Sequence, residues 1–158
     1  MSGTVVMGIG NRLKGDDAAG TCVVDTLNRR QQGGKASSAD DMVAIDAGPA
    51  PESYTSVIRQ RRPDSLILVD AADMGLHPGA LRIIAPERIS ILSFSTHNMP
   101  LSAFISYVQE FCGEVLLVGV QPGQAETGGR LSEAVRRGVE ELTEAILTGR
   151  ITEIPLLE

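Results

Sequence analysis

The chain has 158 residues, enough for one domain (1–158) with a buried core, and its hydrophobic fraction of 42% is ordinary for a globular fold. A formal net charge of −6 and an aromatic content of 3% argue against a nucleic-acid partner, which needs basic residues against phosphate and rings for base stacking. No apolar run approaches the roughly 18 residues of a membrane span, no basic region followed by an apolar stretch marks a signal peptide, and Cys22 and Cys112 sit in apolar helical contexts, so a reduced cytoplasmic protein without a membrane partner is expected.

The apolar run Thr4–Ile9 reads as the first strand. It carries Gly8 and leads into a loop with Gly10 and Gly15, and then into a helix over about Asp16–Arg30. Strand, glycine loop and helix open an α/β sheet, which binds ligands at the carboxyl ends of its strands. The dinucleotide fingerprint fails because Leu13 stands where its last glycine belongs. The phosphate loop fails because Asp16 stands where its lysine belongs. Two carboxylates at a helix start complement the helix dipole and repel anions. Asp16 is therefore read as the cap of its own helix, with Asp17 in the first turn. The alternative is that one aspartate faces the cleft as a metal ligand or acid/base group.

Gln31–Asp41 is a polar loop. Met42–Ile45 is a short strand ending at Asp46, and Pro51 opens a helix to about Gln60. Ser65–Val69 has the continuous apolar pattern of a strand buried on both faces, and stops at Asp70. A buried carboxylate there must be paired, hydrated or metal-bound, or satisfied by backbone N–H groups of an Ala71–Asp73 turn. Asp46 has the same readings, and Gly48 invites an Asx-turn. Ala80–Ile84 is an edge or antiparallel strand, because the loop before it is too short for a helical crossover. Residues Pro86–Thr96 are irregular. His97–Pro100 open a helix to Cys112 with a stripe of Leu101, Phe104, Ile105 and Val108. Glu114–Val120 is a further buried strand, Gln121–Arg130 a glycine-containing loop, and Ser132–Leu147 the last helix. The tail to Glu158 has no clear pattern. The expected fold is a three-layer α/β sandwich: a twisted, mostly parallel sheet of about five strands with helices on both faces.

Such a sheet gathers Asp17, Asp46, Asp70, His97 and Gln121 at one edge. Aspartates with an imidazole are a plausible shell for zinc, nickel, manganese or iron with positions left open, but ligands this far apart in sequence do not specify the metal. No G-x-S-x-G elbow is present, and neither cysteine has a polar activating context.

The segments GIGNRLKGDDAAG, Val69–Asp70–Ala71 and Ser95–Thr96–His97 together resemble the hydrogenase maturation endopeptidases, in particular the branch acting on hydrogenase 3 of the formate hydrogenlyase type. The family's opening motif, G-x-G-N-x-x-x-x-D-[DE]-x-x-G, is matched in full. The resemblance spans about Thr4–Leu147. It implies a cytoplasmic endopeptidase that removes a C-terminal extension from the precursor of a [NiFe] hydrogenase large subunit after metal insertion. It places metal contacts on Asp17, Asp70 and His97, with Asp17 or Asp70 as a catalytic carboxylate. Gly8, Gly10, Asn11 and Asp46 then line the substrate cleft. The implied metal is nickel carried by the precursor; a zinc or other divalent ion in the same site stays open. A monomer is expected. The alternative function is a non-catalytic chaperone that senses nickel loading.

Overall fold

The computed structural model describes residues 3–32, 42–94, 99–123 and 130–158. Strand β1 (Thr4–Ile9) runs into a 3-10 turn over Gly15–Ala18 and helix α1 (Ala19–Gln32). Strand β2 (Met42–Gly48) follows, then a second 3-10 turn at Pro51–Tyr54, helix α2 (Thr55–Arg61) and strand β3 (Ser65–Asp73). Next come β4 (Leu81–Ile83), α3 (Pro86–Ile89), β5 (Ser93–Phe94), α4 (Leu101–Val108), β6 (Glu114–Val120) and α5 (Glu133–Leu147).

The main sheet has the order β2-β1-β3-β6-β4. Strands β2, β1, β3 and β6 are parallel, and β4 closes the edge antiparallel to β6, as the short connection before it predicts. Strand β5 pairs antiparallel with the far end of β3, with Phe94 opposite Ala72. From β1 the chain crosses to β2 on one side and returns to β3 on the other. The order therefore reverses between β1 and β3, the position at whose carboxyl ends open α/β sheets bind ligands.

Both faces of the sheet are covered, which explains the unbroken apolar runs of β1 and β3. One core packs Val6, Ile67, Val69, Val118 and Val120 against α1 and α5. The other packs Val5, Met7, Leu66, Leu68 and Leu117 against Ile58 of α2 and Leu101, Phe104, Ile105 and Val108 of α4. This is the expected three-layer α/β sandwich. Helix α1 approaches very closely: a Cβ on Gly8 would lie 2.2 Å from the carbonyl oxygen of Gly20, and one on Gly20 would lie 2.4 Å from those of Ile9 and Val69. The tail covers the β4 edge, with Ile83 N–H donating to Pro155 O and Leu157 N–H to Ile83 O, both at 2.8 Å. Among the described residues no helix is long and apolar enough to cross a membrane.

Several boundaries differ from expectation. Asp46 and Asp70 lie inside β2 and β3 rather than after them, because their neighbours continue the pairing: Ala71 stands opposite Val120 and Asp73 opposite Ser93. Ala71–Asp73 is therefore strand rather than the expected turn. Elements α3 and β5 occupy a stretch that reads as irregular; each is too short to show a period. Residues 33–41 of the expected polar loop and 124–129 of the glycine loop are outside the described residues.

Candidate active site

The loop after β1 is folded by its own backbone. Gly10 N–H donates to Gly48 O at 2.9 Å, Asn11 N–H to Asp17 O at 3.1 Å and Lys14 N–H to Asn11 O at 3.1 Å. The Asn11 side chain accepts from Leu13 N–H at 2.9 Å, an Asx-turn that accounts for an asparagine after the glycine. A Cβ on Gly10 would meet Asp17 O at 2.1 Å, so only glycine allows the closure. Gly8 lies in the sheet between Asp46 and Val69, and its small size serves the approach of α1.

Asp17 lies in the Gly15–Ala18 turn, half-buried, and that turn packs against β3. The turn's N-cap is Lys14, with no side-chain cap, so Asp16 does not cap its own helix. Instead the Asp16 carboxylate accepts from Gly123 N–H, Ser132 N–H and Ser132 Oγ–H, at 2.8, 2.7 and 2.9 Å. No hydrogen bond or ion pair engages the Asp17 carboxylate among the described residues.

Asp70 has no solvent exposure. By strand alternation it shares the α2–α4 face of the sheet with Leu66, Leu68 and Ala72. Asp46 shares the opposite face with Met42 and Ala44, toward α1. Its carboxylate accepts from Gly48 N–H at 3.0 Å, the expected Asx contact, from Thr21 Oγ–H at 3.2 Å and from the Arg12 guanidinium at 2.7 Å. Arg12 also pairs with Asp25 at 2.8 Å. Hydrogen bonds to Asp25, then to Asp46, hold its guanidinium charged by raising its pKa well above the ordinary value. Through Arg12 and Gly48, Asp46 helps hold the loop to β2.

Asp17 lies in the turn that follows β1 and Asp70 within β3, the two strands that flank the sheet's reversal point, and Asp46 lies in the strand outside it. Among the described residues no group of three His, Cys, Asp or Glu side chains forms a metal cluster. His97, with Ser95 and Thr96, lies outside the described residues; Phe94, shortly before it in the chain, pairs at the end of the strand that carries Asp70.

The comparisons with known proteins agree with this architecture. The family model for hydrogenase maturation proteases matches residues 22–149. The chain belongs to the hydrogenase maturation protease family. It is 36% identical to the hydrogenase 3 maturation protease of Escherichia coli K12 over 90% of this chain and 87% of that one. It is 38% identical to a putative hydrogenase maturation protease of Methanocaldococcus jannaschii over 75% of this chain and 71% of that one. The crystal structure of a [NiFe] hydrogenase maturation protease from Thermococcus kodakarensis superposes with a TM-score of 0.79 at 32% identity, covering 94% of this chain and 92% of that one.

Sequence reasoning missed the tertiary contacts of Asp16 and Arg12 and placed Gln121 at the sheet edge without its partners. Asp16 and Arg12 bond to residues remote in the chain, and no local pattern announces either. Gln121 carried a signal, a polar residue directly after a buried strand. It is 6% exposed. Its Oε1 accepts from Met74 N–H at 2.6 Å and Leu76 N–H at 3.2 Å, and its Nε2 donates to Asp73 at 3.2 Å.

Proposed function

We propose that this protein is an endopeptidase that removes the C-terminal extension of a nickel-loaded [NiFe] hydrogenase large-subunit precursor, and that Asp17, Asp70 and His97 read the nickel carried by that substrate. The observation that carries the reading is the placement of Asp17 in the turn that follows β1 and of Asp70 within β3, the two strands between which the sheet order reverses, where open α/β sheets bind ligands. Family membership supports the peptidase class, and the matched opening motif supports the choice of Asp17 over Asp16. Two carboxylates and an imidazole are a donor set that suits a divalent metal with positions left for other ligands.

In this reading the residues divide the work. Asp70, fully buried within β3, is the ligand fixed by the sheet. Asp17, half-buried and uncommitted, accepts the proton of the attacking water and passes it to the leaving amine as the peptide bond breaks. The precursor's nickel supplies Lewis-acid polarisation and makes the site complete only on loaded substrate. Gly10 and Asn11 shape the loop beside which the peptide lies.

The test is incubation of the purified protein with its co-produced precursor, nickel-loaded or nickel-free, read by mass spectrometry of the precursor's C-terminus. Nickel-dependent loss of the extension by wild type, abolished in folded Asp17→Asn, Asp70→Asn and His97→Ala, is the expected result. Full cleavage by all these variants would reject the site. Nickel-dependent binding without cleavage by wild type would identify a nickel-sensing chaperone instead.

A further inference from the structure

The neighbour of Asp17 has a separate task. The Asp16 carboxylate reaches both ends of the segment joining β6 to α5: Oδ2 accepts from Gly123 N–H at 2.8 Å and Ser132 Oγ–H at 2.9 Å, and Oδ1 accepts from Ser132 N–H at 2.7 Å. An ionised carboxylate is acceptor-only, and bonds donated to it are shorter and stronger than neutral ones. The Ser132 hydroxyl is the N-cap of α5 and accepts from Val135 N–H at 3.4 Å, so one hydroxyl links Asp16 to the first turn of that helix. A Cβ on Gly123 would stand 3.0 Å from Asp16 Oδ2, a tight contact that would push the carboxylate by a few tenths of an ångström. Around this contact Gly15, Asp16, Pro78, Gly123, Arg130 and Ser132 line an open cleft of about 470 Å3.

The same exit of β6 is fastened on its other side. Gln121 holds Asp73, Met74 and Leu76, directly beyond the part of β3 that carries Asp70. Residues Gln121–Gly123 therefore bridge the loop bearing Asp17 and the strand bearing Asp70. We infer that Asp16 is a positioning residue: its carboxylate ties the loop of Asp17 to Gly123 and Ser132, and so fixes how far Asp17 stands from the β6 side of the crevice. This deepens the peptidase reading for its kinetic consequence, while the clamp itself is measurable without catalysis.

The experiment compares wild type, Asp16→Asn, Ser132→Ala and the double variant by two readouts: amide hydrogen exchange at Gly123 and Ser132, and cleavage kinetics on the nickel-loaded precursor. Asp16→Asn keeps the shape but turns an amide N–H toward a backbone N–H. It is expected to speed exchange at both amides. It is also expected to lower kcat about 10- to 100-fold with KM within about threefold, because reacting groups are misplaced while the extended contact with a large substrate persists. Ser132→Ala should lower kcat about threefold and add little in the double variant, since the two residues share one contact. Unchanged exchange in Asp16→Asn would overturn the clamp. Unchanged kcat, independent multiplying losses, or losses that follow unfolding at the assay temperature would overturn the positioning role. If wild type leaves the precursor uncut, the peptidase reading fails, and the exchange data still decide the clamp.

Discussion

The loop after β1 is held on its two sides by different chemistry. On the β2 side, Arg12 spans Asp25 and Asp46, with its side chain 55% exposed. On the β6 side, Asp16 receives two backbone N–H groups and a hydroxyl. Exposed ion pairs contribute about 0–1 kcal/mol and weaken with salt. A carboxylate bonded to backbone amides orders fewer long side chains and fixes the main chain directly. The β6 side is thus the stiffer attachment, and Asp17 directly follows the residue that makes it. The loop is thus tied by backbone contacts where the proposed chemistry needs fixed distances.

The largest effect expected is from breaking what both attachments stand on. Gly20→Ala places a methyl group 2.4 Å from two backbone carbonyl oxygens, so stability should fall by about 3 kcal/mol or more, read as the urea midpoint or as loss of soluble protein. Gly123→Ala strikes only the β6 side. Its methyl group meets a short, anchored side chain at 3.0 Å, and a loss of about 1 kcal/mol is expected, together with faster exchange at the Ser132 amide. Arg12→Ala strikes only the β2 side. It should cost about 0.5–1 kcal/mol at low ionic strength and nearly nothing in about 1 M salt, with kcat within about twofold of wild type. A salt-independent loss of several kcal/mol would reverse the ranking of the two attachments.

The smallest effect concerns pH. Burial raises the thiol pKa of Cys22, with the Asp25 carboxylate adding to it, and burial raises that of Cys112. A raised thiol pKa means the folded state holds its proton longer than the unfolded chain. This contribution is present below the ordinary thiol value and is lost as pH rises through the folded one. Both thiols should therefore react slowly with iodoacetamide near pH 8, and reach the unfolded rate in denaturant. Rapid alkylation of the native protein at that pH would contradict the burial argument.

The parts legible in the sequence are those governed by local pattern. Apolar runs marked β1, β3 and β6; a serine before a helical stripe marked the start of α5; and a short connection marked β4 as antiparallel. The Asx role of Asp46 followed from the glycine placed after it. What was not legible depends on tertiary pairing. β3 runs past Asp70 because β5 and β6 keep it in register, and nothing in its own composition shows that. Asp16 looks like a local cap because aspartate before a helix usually is one. Its true partners are 107 and 116 residues away, and only the folded chain brings them together.

The most direct test of the account sets the adjacent aspartates side by side. Single-turnover cleavage of nickel-loaded precursor would be measured for Asp16→Asn and Asp17→Asn, each with amide exchange at Gly123 and Ser132. The account predicts that Asp17→Asn abolishes cleavage while leaving both amides protected, and that Asp16→Asn slows cleavage while exposing them. Cleavage that survives in Asp17→Asn, or amides that open equally in both variants, would contradict the division of labour between these two residues.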